Sequence, residues 1–243
     1  MRIPSRILLL AAFGFAALVF ARLGIWQVHR LHERRALNAK TFAERSKPAV
    51  TVIDARQAGP GLVDRRIQAT GQYDDDHAVI IRGRVYQGVP GVEIVSPLVL
   101  ENSRTALLVN RGFVPTPDAF TMSLDSLRER GTVQVEGLAL PMGTGGGAPL
   151  RHNGETTWAR LDYGALSSHL PYPIARVYLR QLPDAALPRF PRRLDPPALD
   201  DGPHLNYAIQ WFSFSAMALV FGVVIARQRH RTSPPPNRGP PEP

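Results

Sequence analysis

His204–Arg227 reads HLNYAIQWFSFSAMALVFGVVIAR, and this stretch decides the architecture. Leu205 to Ala226 are 22 consecutive positions without Lys, Arg, Asp or Glu. As a helix rising about 1.5 Å per residue, they suffice to cross a bilayer core of roughly 30 Å. The entrance is not plain hydrocarbon, because His204, Asn206, Tyr207, Gln210 and Trp211 precede the purely apolar part. Polar groups at that depth are costly in lipid and face protein, water or a ligand. On a helix His204, Tyr207 or Ala208, and Trp211 share one face, with Gln210 and Asn206 on a neighbouring one. Two readings of that face compete: a ligand site, or an interfacial belt of aromatic anchors.

A second apolar segment stands at the other end. Arg2 and Arg6 precede a run from Ile7 to Ala21, followed by Arg22 and a further apolar turn ending at Trp26. Val19-Phe20-Ala21 has the small residues of a signal-peptidase site, so a cleaved signal is one reading. The other is an uncleaved span over residues 7–26, with Arg22 snorkelling and Trp26 at the interface. Residues 27–47 are charged and free of Gly and Pro, and are expected to continue as a juxtamembrane helix ending before Pro48. His29 and His32 lie three apart on it, but with only Glu33 nearby they read as surface histidines.

The chain has 243 residues, a formal charge of +9 and a pI near 10.7. The basic residues cluster beside the apolar segments rather than in a patch with interleaved aromatics, which points to anionic lipid headgroups and not to nucleic acid. Cysteine is absent, which excludes disulfides, Cys-ligated zinc, iron–sulfur clusters and thiol catalysis.

Between the two segments, from residue 48 to 182, the hydrophobic period becomes that of strands. Expected strands are Ala49–Ile53, Arg66–Tyr73, Ala78–Arg84, Val92–Leu100, Thr105–Val114, Thr132–Leu140, Thr157–Leu161 and Arg176–Gln181. Val92–Leu100 and Thr105–Val114 form the clearest hairpin. Helices are expected over Asp118 to Arg130 and Tyr163 to Leu170. Asp74-Asp75-Asp76 reads as a polar turn rather than a cation site, since neighbouring carboxylates point apart. Gly143-Thr144-Gly145-Gly146-Gly147 lacks the following Lys-Ser/Thr of a phosphate loop and reads as a surface loop. His77, His152 and His169 are isolated in sequence, and no GxSxG nucleophile motif occurs. Residues 183–203 form a Pro-rich linker, and 227–243 a Pro-rich tail expected to be disordered.

Two crossings put both termini on one side. Residues 1–6 and the tail, through Arg2, Arg6, Arg227, Arg229 and Arg231, place that side in the cytoplasm by the positive-inside rule. Arg30, Arg34, Arg35, Lys40, Arg45 and Lys47 argue the other way, but long domains translocate with little regard to charge. The expected fold class is thus a membrane protein with two transmembrane α-helices flanking a β-rich (α+β) extracytoplasmic domain.

Four stretches carry a resemblance: Leu23-Gly24-Ile25-Trp26-Gln27 followed by Arg30; Gly91 to Pro97; Leu108-Val109-Asn110-Arg111-Gly112-Phe113-Val114-Pro115; and His204 to Phe212. Together, in this order, they resemble the Surfeit-locus family of cytochrome c oxidase assembly factors. The departures are Phe113, where Trp often follows the Arg-Gly pair, and Gly202-Pro203, where Asn commonly precedes the His. The resemblance implies an uncleaved first helix and a non-enzymatic factor that binds haem a and assists its insertion into oxidase subunit I. It implies His204 as the axial iron ligand, Trp26, Tyr207 and Trp211 as porphyrin walls, and Arg30 as a propionate or lipid-phosphate partner. Arg111 and Gly112 are assigned to a structural turn, with partner contact as the alternative. The expected partners are subunit I, haem a synthase and membrane lipids. No transit segment precedes the first apolar run, so the expected location is a bacterial inner membrane with the domain periplasmic. The rival reading is a haem-independent scaffold for oxidase subunits.

Overall fold

The computed structural model describes residues 5–119, 123–145, 148–152 and 155–228. The chain divides into two units, one taking residues up to Lys40 and again from Leu199, the other Thr41–Ala198.

Among its described residues the first unit is built on two helices, α1 (Ser5–Ser46) and α3 (His204–Gln228). The expected span and juxtamembrane helix are one unbroken α1 of 42 residues, because no Pro interrupts it before Pro48. Both helices are long and apolar enough to cross a membrane. Their outer faces carry bare hydrocarbon: Phe15 is 70%, Leu18 72% and Val220 60% exposed. Such a surface suits lipid or a protein partner better than water.

The helices meet along a seam with alternating steps of three and four. On α1 it runs through Ala17, Phe20, Gly24, Gln27 and Leu31; on α3 through His204, Ala208, Trp211, Ser215, Ala218 and Gly222. Small residues let the backbones approach, as helix pairing in lipid requires. A side chain at Gly24 would stand 2.7 Å from the Phe212 ring, and the Ser215 hydroxyl donates to the Ala17 carbonyl at 2.9 Å.

Among its described residues the second unit is organised by nine strands: β1 (Val50–Val52), β2 (Arg66–Tyr73), β3 (Val79–Tyr86), β4 (Val89–Leu100), β5 (Ala106–Pro115), β6 (Thr132–Pro141), β7 (Leu150–His152), β8 (Glu155–Trp158) and β9 (Ile174–Gln181). A short helix, α2 (Tyr163–His169), is capped by the Asp162 carboxylate, which accepts from Ala165 N–H. The order is β1-β2-β6-β9-β5-β4-β3-β8-β7, with β2 also pairing to β4. That extra pairing closes β2-β6-β9-β5-β4 into a five-stranded barrel, with β5 and β9 parallel. This is the connectivity of an OB-fold. Ile67, Leu98, Leu107, Val109, Val135 and Leu179 fill the barrel. A second core on the outer face sets Val95 and Leu108 against Trp158, Leu166 and Leu170.

The expected helix over Asp118 to Arg130 is absent from the described residues of that segment, which hold one 3-10 turn, Asp125–Leu127; residues 120–122 lie outside the description. The segment instead lies over β3 and β4, with Leu124 and Leu127 on Ile80, Val92 and Ile94, and the Leu127 carbonyl accepts from Arg111. Tertiary packing overrides helix propensity there.

The Asn110-Arg111-Gly112 run is a β-bulge, not the expected turn. The β4–β5 register jumps between Ile94/Gly112 and Val95/Asn110, leaving Arg111 as the extra residue. Asn110 braces the bulge, donating to Glu93 at 2.9 Å and accepting from Gly112 N–H at 3.0 Å. Gly112 has φ 120°, and any Cβ there would strike the Arg192 carbonyl. Arg111 is 1% exposed. It pairs with Asp75 at 3.0 Å and Glu129 at 2.7 Å and stacks 4.7 Å over the Tyr73 ring. Glu129 also holds Arg193 of the Pro-rich segment at 2.9 Å. The aspartate run is a polar turn, and its members diverge: Asp74 to Tyr172 and His77, Asp75 to Arg111, Asp76 to Arg128.

Candidate functional site at the head of the helix pair

The chain reaches α3 through a fixed approach. Asp201 accepts from Arg35 at 2.8 Å and Asn38 at 3.1 Å, and the Asp200 carbonyl accepts from Arg34 at 3.0 Å. The hydrogen bond from Arg35 holds the Asp201 carboxyl below its ordinary pKa. Gly202 then turns the chain at φ 74°, its N–H donating to the Asp200 carboxylate at 2.8 Å. Only glycine adopts that backbone without cost, which accounts for Gly202 ahead of Pro203 and the helix start.

At the first position of α3, His204 Nδ1 lies 2.8 Å from Oε1 of Gln27, itself only 8% exposed. In the tautomer that donates Nδ1–H to this carboxamide oxygen, Nε2 keeps its lone pair. Gly202 borders that edge: a Cβ there would stand 3.4 Å from Nε2. The result is a half-buried imidazole held by one nitrogen and presenting the other as a base or metal ligand.

The remaining expected site residues are placed differently. Trp26 is 53% and Tyr207 46% exposed, on the outer surfaces of α1 and α3. Ala208, at 2% exposure, occupies the seam position next along from His204, so the choice between Tyr207 and Ala208 falls to Ala208. Trp211 is turned into the seam, stacked on Phe20 at 5.8 Å and edge-on to Phe214. Arg30 pairs with Glu33 of its own helix at 2.6 Å, both side chains more than half exposed. His204 is thus joined across the pair to Gln27, which the sequence reading quoted without giving it a role. The signal for it was the three-four spacing of Ala17, Phe20, Gly24, Gln27 and Leu31.

The model of the SURF1 family matches residues 14–216, a range containing all four stretches quoted above. The chain belongs to the SURF1 family. A SURF1-like protein of Mycobacterium tuberculosis is 28% identical over 251 aligned positions, covering 95% of this chain and 89% of its own. One from Monosiga brevicollis is 28% identical over 237 positions, covering 89% and 88%. A third, from Rickettsia felis, is 22% identical over 216 positions, covering 86% and 92%. SURF1 proteins are known generally as cytochrome oxidase assembly factors, and two helices fit to cross a membrane suit such a protein.

Proposed function

We propose that this SURF1 protein binds haem a at the head of the helix pair and assists its insertion into subunit I of cytochrome c oxidase. The observation that carries this reading is the 2.8 Å contact between His204 Nδ1 and Gln27. Ligating histidines are oriented this way, by a hydrogen bond at the nitrogen away from the metal. The residues fit the group: His204 Nε2 would meet the iron, while the exposed rings of Trp26 and Tyr207 supply apolar surface for a macrocycle. Trp211 acts from the seam, where its stack on Phe20 sets the spacing of the two helices. Arg30 sits in an exposed pair of the kind that contributes under about 1 kcal/mol, so it exchanges Glu33 for a propionate or lipid phosphate at little cost. The iron would come with the cargo, and the protein's part would be to bind and orient it. No catalytic step is assigned to the chain.

The basic flanks favour a topology with both termini in the cytoplasm of a bacterial cell and the barrel in the periplasm. There the factor meets subunit I, haem a synthase and the headgroups of the inner membrane. The test is the absorption spectrum of the protein purified from cells making haem a. Bound haem is expected in the wild type and lost or spectrally altered in His204→Ala. A haem-free wild type, or an unchanged spectrum in the variant, supports the haem-independent scaffold instead.

A further inference from the structure

The outer face of the barrel, apolar where Val95 and Leu108 meet α2, turns polar two residues further along the same strands. Four adjacent strands, β9, β5, β4 and β3, present Arg180, Asn110, Glu93 and Arg84, with Arg180 and Asn110 as register partners. Arg84, Glu93, Asn110 and Tyr178, joined by Arg160, line a cavity of about 190 Å³.

Charge there is unbalanced: Arg84 and Arg180 flank the one carboxylate, and Arg160, which donates to the Gly145 carbonyl, adds a further positive charge to the lining. Glu93 accepts from Asn110 at 2.9 Å, but its ion pairs with Arg84 and Arg180 are both 3.6 Å, too long for hydrogen bonds. The Nε atoms of Arg84 and Arg180 are buried and donate to nothing among the described residues. Buried charged donors left this way are costly and attract an acceptor. Burial pushes the Tyr178 hydroxyl above its ordinary pKa, against the pull of Arg180, so it stays a donor. The face belongs to β4 and β5, the second and third strands of the barrel, where OB-folds take their ligands. The volume is below the roughly 300 Å³ at which sites for drug-sized ligands begin, which suits a single oxyanion group rather than a nucleotide.

We propose that this cavity binds the oxyanion group, carboxylate or phosphate, of a small ligand, with Arg84 and Arg160 as its cationic contacts, Arg180 behind Glu93, and Glu93 as the built-in competitor. The proposal does not rest on the haem a reading. The full chain in a neutral detergent would be titrated with inorganic phosphate and, separately, acetate. Ionic strength is held constant with chloride, and thermal unfolding is followed by tryptophan fluorescence. Saturable stabilisation by one of the two anions is expected, with phosphate and acetate separating the two ligand chemistries. Arg84→Gln should weaken the apparent affinity at least tenfold, and Glu93→Gln should strengthen it on the order of tenfold by removing the competing charge. A misfolded variant would lose affinity, not gain it. Stabilisation that chloride reproduces, or an affinity unchanged in Glu93→Gln, overturns the proposal.

Discussion

Replacing Arg111 by Leu should cost the barrel about 3 kcal/mol, at the low end of the 3–5 kcal/mol expected when one partner of a buried ion pair is removed. The guanidinium is 1% exposed and joins Asp75, Glu129 and the Leu127 carbonyl over the face of Tyr73. The low end applies because neither carboxylate is orphaned. Asp75 keeps the Ser96 hydroxyl at 3.1 Å and Glu129 N–H at 3.2 Å, while Glu129 keeps Arg193 at 2.9 Å. At 2–4 °C per kcal/mol for a domain of this size, the melting temperature should fall by about 6–12 °C. Arg111→Lys should rescue little, since one ammonium cannot reproduce a fork spread over two carboxylates and a carbonyl. Urea unfolding of the full chain in detergent, followed by tryptophan fluorescence, measures the loss. The double variant Arg111→Leu/Asp75→Asn should lose less than the sum of the two singles. A loss under about 1 kcal/mol, the value of an exposed pair, would refute the view that the bulge exists to bury this charge.

Three further outcomes are expected. Gln27→Leu should preserve the helix pair but shift or weaken the haem absorption band and be rescued by Gln27→Asn only in part; an unaltered band separates Gln27 from His204. Gly24→Leu would drive a side chain into the Phe212 ring and should loosen the helix pair, read as faster proteolysis or lost crosslinking between cysteines placed on α1 and α3. Burial raises the Asp74 carboxyl, but hydrogen bonds from Tyr172 and His77 outweigh it, so its folded pKa lies below the ordinary value. Its stabilisation is therefore full above the unfolded pKa of about 4 and lost as pH falls through the lower folded value. Asp74→Asn should consequently be less stable than wild type at neutral pH, with the gap narrowing below pH 4. A gap independent of pH would count against this ionisation.

The hairpin of β4 and β5 was legible because alternation and β-branched residues report directly on a half-buried surface. The helix expected over Asp118 to Arg130 was misread for the opposite reason: its local propensity is helical, but its leucines and carbonyls are claimed by β3, β4 and Arg111. Arg111 itself looked like a turn residue, since a charged residue before Gly reads as exposed. Nothing local announces that Asp75 and Glu129, 36 and 18 residues away, wait to neutralise it.

By itself the sequence determined what depends on local composition. It marked two apolar stretches long enough to cross a bilayer, a strand-rich middle, and a histidine at the polar head of the second apolar stretch. The tertiary structure decided what depends on contacts distant in the chain. Closure of the barrel rests on β2 meeting β4, and the chemistry of His204 rests on Gln27, 177 residues away, holding Nδ1. Burial and hydrogen bonding are set by which segments meet, and that information is spread over the whole chain rather than written beside the residue it controls.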